Sequence, residues 1–184
     1  MPTFLRSGDQ EFYLDLLSSR ARRYGMSVLS FCLMNNHVHL VVVPQSENAI
    51  SEAIGETHQL YAQKVNVREG WSGHFWQARF YSDPLGPRAA YLVMRYVLMN
   101  PVRAGLVERP EDWVYSSARQ HLGIVPVSPL LSTDLADRLI GDWSELLSRD
   151  VEPETLRRIR RTTRRGRLFL AACCREASSR MAPA

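Results

Sequence analysis

Between residues 12 and 24 the apolar positions fall at helical intervals: Phe12, Tyr13, Leu16, Leu17, Ala21 and Tyr24. Ser7 stands where an N-cap belongs, with Gln10 as its capping-box partner and Gly25 as the C-terminal stop. The pattern then changes. SVLSFCLM (27–34) and HVHLVVV (37–43) read as strands. The turn signal NN (35–36) joins them and Pro44 ends the second, which predicts a hairpin. Ser46 caps a second helix over 47–66, with Ile50, Ile54, Tyr61 and Val65 on its apolar side. REGWSG (68–73) is a loop, the nearly alternating HFWQARFY (74–81) predicts a third strand, and SDPLGP (82–87) predicts a turn. AAYLVMRYVLMN (89–100) predicts a helix halted by Pro101. Residues 107–117 read as irregular, and helical patterning returns at 134–148 and 153–164. The order helix, strand, strand, helix, strand, helix describes an α+β domain on an antiparallel sheet. LGIVPVSPLLST (122–133) predicts a boundary between a domain at 1–122 and a helical, arginine-rich extension at 123–184.

Composition narrows the function classes. No apolar run approaches the roughly 18 residues that span a bilayer. The start MPTFLRSGDQ lacks the charged and apolar regions of a signal peptide, so a cytoplasmic protein is expected. Cys32, Cys173 and Cys174 are too few and too unevenly spaced for a disulfide framework or a zinc site. The net charge is +4, and the basic residues are Lys64 and twenty-two arginines. Arginine forks onto phosphate and stacks on bases, so the balance suits a polyanionic partner. RRIRRTTRRGR (157–167), which includes Arg160, Arg161, Arg164 and Arg165, reads as a phosphate-tracking segment or a solvated helical face.

The second strand carries unusual chemistry. His37 and His39 share one face, while Val38, Leu40 and Val42 point the other way into a core. Followed by VVV, the strand reads as central, and partly buried imidazoles need partners. Metal ligation, phosphate contact and plain surface placement all remain open. His58, His74 and His121 have no close companion, so they read as surface or core-edge residues rather than a zinc set. On the helix before Pro101, Tyr96 and Asn100 lie about 40° apart and Tyr91 about 180° from Asn100. Taken alone, amphipathic packing and helix termination account for both.

CLMNNHVHLVV, GHFWQARF, YVLMNPVRAGLV and PEDWVYSS together resemble the motif series of the REP-associated tyrosine transposases, within the single-tyrosine HUH superfamily. The resemblance runs from about residue 4 to 120. It implies a ferredoxin-like antiparallel sheet with helices on one face. His37, His39 and Asn100 match the ligands of a divalent metal, Mg²⁺ or Mn²⁺, and Tyr96 matches the nucleophile. It implies a single-stranded DNA endonuclease and strand transferase acting on REP-type hairpins through a 5′-phosphotyrosine link. Arg79, Arg103 and Trp113 are its candidate DNA contacts. Monomer and homodimer are both compatible. The alternative is a degenerate or domesticated protein that binds such DNA without cleaving it.

The chain departs from the family pattern at both ends. Relatives begin with another strand, beside the HUH strand in the central sheet. Here the sequence starts almost at the first helix, so either a misassigned start or a truncated copy is expected, and loss of that strand would expose a strand edge. TRRGRLFLAACCREASSRMAPA starts like a family tail and then loses the pattern.

Overall fold

In the computed structural model the chain is described over residues 2–149, at residue 157, and over 168–173, the last for its backbone alone. Arg157 is helical. The rest of the helix expected at 153–164 lies outside the described residues.

The first helix, α1, spans Asp9–Arg23. Its start is built differently from the expected Ser7 cap. Gly8 takes a left-handed φ of 89°, and the Asp9 carboxylate accepts from the backbone N–H of Leu5 at 2.9 Å and of Arg6 at 3.0 Å. That carboxylate is buried and pairs with Arg68 Nη1 at 2.5 Å, near the end of α2 (Ala49–Glu69). One ion pair therefore ties the start of α1 to the end of α2. Asn48, not Ser46, precedes α2. Beyond α1, Gly25 sits at φ 66°, and a Cβ there would lie 2.8 Å from Gln45 Oε1. The left-handed φ favours glycine, and a side chain there would also push the Gln45 side chain aside.

β1 (Met26–Leu33) and β2 (Val38–Pro44) form the expected antiparallel hairpin, with Cys32 opposite His39. There follow β3 (Tyr81–Leu85), α3 (Pro87–Leu98), α4 (Asn100–Arg103), α5 (Ala118–His121), α6 (Thr133–Ile140), α7 (Trp143–Ser148) and β4 (Leu168–Cys173). The sheet order is β1-β2-β4-β3.

The α+β class holds, and the structure redraws the sheet in detail. HFWQARFY is not the third strand. Residues 74–80 form a loop, and Phe75 and Trp76 dock on the aromatic cluster of Tyr13 and Tyr61. The alternation reflects that docking rather than a pleat. The strand begins at Tyr81 and runs through the expected turn. Pro84 is tolerated because β3 is an edge strand, paired on one side only.

The slot beside the histidine strand, expected to be open, is filled. β4 lies there parallel to both neighbours, with Phe169 opposite His39 on one side and Tyr81 on the other. The sheet is thus mixed rather than wholly antiparallel. The edge of β2 carries N–H and C=O groups that need partners. LFLAAC is the kind of continuous apolar run that a central parallel strand shows. The outer edge of β1 is covered too: Leu33 N–H donates to the Tyr115 carbonyl at 2.9 Å, and Ser117 N–H to that of Phe31 at 3.0 Å.

Helices cover both faces of the sheet, not one. On one face Val28, Leu33, Val38, Leu40 and Val42 pack with Tyr13 and Leu17 of α1 and Ile54 and Tyr61 of α2. On the other, Leu29, Cys32 and Val41 pack with Val93, Met94 and Val97 of α3 and with Ala136, Ile140 and Leu146 of α6 and α7. The cause is visible in VVV, whose alternate members feed opposite cores. Residues beyond 123 therefore share a core with the sheet. Arg95 locks this layer. It is 8% exposed, and its Nε donates to the Leu146 carbonyl at 2.9 Å, at the end of α7 where carbonyls lack helical donors.

Candidate active site

His39 lies on β2 on the face that meets α3, and is 5% exposed. His37 immediately precedes the strand and is half-buried. Their ring centroids are 4.6 Å apart at 88°. His37 Nδ1 lies 2.7 Å from Asn36 Oδ1. With that oxygen as acceptor, Nδ1 carries a proton and donates it to Asn36. Burial, reinforced by His37 and the Arg103 charge, pushes His39 well below its usual value, so it is neutral at neutral pH. The neutral imidazole is the form in which histidine ligates metals.

Tyr96 sits in the last turn of α3, 6% exposed, with its ring 6.2 Å from that of His39 and perpendicular to it. Asn100 does not continue the same helix. The run breaks at Met99, and Asn100 opens α4. Pro101 has no N–H to offer the Val97 carbonyl, which is the local reason for the break. The Asn100 amide is buried. Its Oδ1 accepts from Arg103 Nη2, and its Nδ2 finds no hydrogen-bond partner among the described residues. The Arg103 guanidinium also lies over the Tyr96 ring, with Cζ 3.6 Å from the centroid.

Could these residues hold a divalent ion? Among the described residues no three of His, Cys, Asp and Glu come together as a metal cluster, so the imidazole pair needs a ligand of another kind. Asn100 Oδ1 has two lone pairs, and the bond from Arg103 uses one. Two imidazoles and an amide oxygen fit Mn²⁺ well, and Mg²⁺ less well given its preference for oxygen. Cys32, opposite His39, is fully buried, and burial pushes its thiol up, which disfavours the thiolate.

The other histidines stand apart. His58 is buried, with Nε2 3.1 Å from the Tyr13 hydroxyl and its ring stacked 4.0 Å from that of Trp76. His121 stacks on Trp143 at 3.7 Å. Burial lowers each to about 4. His74 is exposed.

Of the arginines and the tryptophan singled out for DNA, Arg79 is exposed on the 74–80 loop with Cζ 5.4 Å from the Phe80 ring. Trp113 donates its indole N–H to the Leu33 carbonyl at 2.8 Å and packs against the α3 side of the core. Arg103 joins Tyr96 and Asn100. Arg160, Arg161, Arg164 and Arg165 lie outside the described residues. Asn36 is the site residue that sequence reasoning missed. Its signal was its place directly before the first histidine.

Fold and site together define an α+β protein in which a histidine of a central strand meets both a second histidine just before that strand and a tyrosine on the helix packed against it. Residues 3–100, over half of the chain, match the family described as transposase, IS200 like, and the chain belongs to that family. The match spans His37, His39 and Tyr96, and ends on Asn100. No curated protein and no solved structure matches the chain. Membership makes DNA the partner and DNA processing the function. Among the described residues no helix is long and apolar enough to cross a membrane.

Proposed function

We propose that the chain is a metal-dependent, single-tyrosine nuclease and strand transferase of single-stranded DNA, acting beside REP-type hairpins. The observation that carries this reading is that His39 of β2 meets both His37, just before the strand, and Tyr96 on α3. His37, His39 and Asn100 hold the ion. Bound there, Mg²⁺ or Mn²⁺ supplies Lewis-acid polarisation of the scissile phosphate.

Tyr96 acts as nucleophile. Its phenol oxygen bonds to phosphorus, the bond from phosphorus to the 3′ oxygen breaks, and the phenol proton is balanced by the one taken up by the departing 3′-hydroxyl. The product is a 5′-phosphotyrosine link. Because the phosphoester is exchanged rather than hydrolysed, a second 3′-OH can reverse the step and join a new strand without ATP. A free phenol has a pKa of about 10 and is a weak nucleophile at neutral pH, so the charge near it matters. Arg79 and the arginines at 160, 161, 164 and 165 serve as phosphate contacts, and the protein works as a monomer or homodimer in the cytoplasm. The proposed catalytic residues all lie within 1–122, while the described parts of 123–184 complete the sheet and the core that hold them.

The test is incubation with end-labelled, hairpin-bearing single-stranded DNA and Mn²⁺. A covalent protein–DNA species supports the reading. Hairpin binding without any covalent species supports the binding-only alternative.

A further inference from the structure

The helix break at Met99 has a mechanical consequence. Tyr96 and Asn100 lie on two helices, α3 and α4, so regular helix geometry does not by itself fix one against the other. Arg103, the last residue of α4, reaches back across the break. Its Nη1 donates to the Tyr96 carbonyl at 3.1 Å, and its Nη2 donates to Asn100 Oδ1. Its plane covers the Tyr96 ring with Cζ 3.6 Å from the centroid. A guanidinium is a rigid planar fork, so three contacts made by one such group constrain each other. The Asn100 amide is held from its oxygen side, since Nδ2 has no partner among the described residues.

We infer that Arg103 is a positioning residue: it holds the Tyr96 ring and the Asn100 amide oxygen in one arrangement across the break. The inference rests on the proposed roles of those two residues. It gives Arg103 a part other than anchoring a phosphate. A guanidinium stacked on a ring and bonded twice within its own segment serves the geometry of the site, and keeps positive charge beside the phenol. Lysine keeps the charge but cannot stack and fork in this way.

Two readouts test it on the full chain. The first compares single-turnover adduct formation with Mn²⁺ and hairpin DNA against the Kd for the same DNA. Arg103→Ala and Arg103→Lys should each slow the adduct step by about 100-fold while Kd changes little, as a misplaced nucleophile does. Added free guanidinium should raise the rate of Arg103→Ala and leave Tyr96→Phe inactive. An unchanged rate overturns the inference. So does a loss confined to Kd that Arg103→Lys restores, which marks a phosphate contact.

The second readout needs no cleavage. With 3-fluorotyrosine incorporated at every tyrosine and the Tyr96 signal assigned by its loss in Tyr96→Phe, fluorine NMR of the free protein reports the ring's surroundings. Arg103→Ala should move and broaden that signal while the signals of the other labelled tyrosines stay in place. An unmoved Tyr96 signal overturns the inference. If the wild-type chain forms no adduct with any metal, the nuclease reading fails, and this signal alone decides whether Arg103 positions the ring.

Discussion

The rings of His39 and Tyr96 meet edge to face, 6.2 Å apart, although one belongs to a strand and the other to a helix nearly sixty residues later. Both side chains are almost fully buried. Helix α3 is held against the sheet by Val93, Met94 and Val97 and tied to α7 by Arg95, so the site inherits its geometry from that packing. Arg95→Ala should remove the bonds to the last carbonyls of α7 and cost about 2 kcal/mol. Urea unfolding of the variant measures this. An unchanged midpoint would show that the α3–α7 contact does not carry stability.

Asn36 orients His37 through the 2.7 Å contact to Nδ1. Removing the group behind a ligating histidine typically weakens metal binding by about 10- to 100-fold. Asn36→Ala should therefore lower Mn²⁺ affinity in a calorimetric titration without changing the fold. His37→Ala should abolish measurable Mn²⁺ binding, and equal affinity in all three proteins would remove His37 from the ligand set.

Acid should destabilise the fold in two windows. His58 and His121 are each lowered by burial to about 4 from an ordinary 6.5. The unfolded chain therefore takes up protons first, and the stability held above 6.5 is lost as pH falls towards 4. Each histidine contributes up to about 3 kcal/mol across that window. Asp9 is lowered to about 2 from 3.8, chiefly by its hydrogen bond to Arg68, so its contribution is present above 3.8 and lost as pH falls through 2. Urea midpoints measured from neutral to mildly acidic pH check the first window. His58→Gln should flatten part of the slope, and a flat profile in the wild type would contradict the account.

Trp76 stacks on His58 and donates its indole N–H to the His58 carbonyl at 2.9 Å. Trp76→Ala should cost about 3 kcal/mol and free the 74–80 loop that carries Arg79. Thermal unfolding and limited proteolysis within that loop read the two effects separately.

A chain ending at residue 167 keeps His37, His39, Tyr96, Asn100 and Arg103 yet loses β4. β2 would lose its parallel partner, and β3 its pairing with the sheet. Hydrogen exchange of the β2 amides should rise sharply in the shortened chain. Unchanged protection would show that β4 is not part of the stable sheet.

Much of this was legible in the sequence, for physical reasons. α1, the β1–β2 hairpin and α2 follow from periodicity and turn chemistry, which act over a few residues. HVH followed by VVV announced a buried strand with two histidines on one face. Other features are written in longer-range terms. The alternation of HFWQARFY marks docking on Tyr13 and Tyr61, residues that only the fold brings near. Pro84 disguised β3, because whether proline is tolerated depends on the strand being at an edge. LFLAAC displayed the apolar run of a central parallel strand, but nothing local says that it crosses back to pair with β2. The break at Met99 was half visible: Pro101 gave the stop, while the restart at Asn100 and the return of Arg103 depend on tertiary contacts.

The central claim is that Tyr96 is the nucleophile. Mass spectrometry of the protein after reaction with hairpin-bearing single-stranded DNA and Mn²⁺, followed by nuclease and protease digestion, tests it most directly. The account predicts a nucleotide phosphate on the peptide containing Tyr96, absent in Tyr96→Phe and absent without metal. A nucleotide on any other residue, or cleavage that survives Tyr96→Phe, would contradict it.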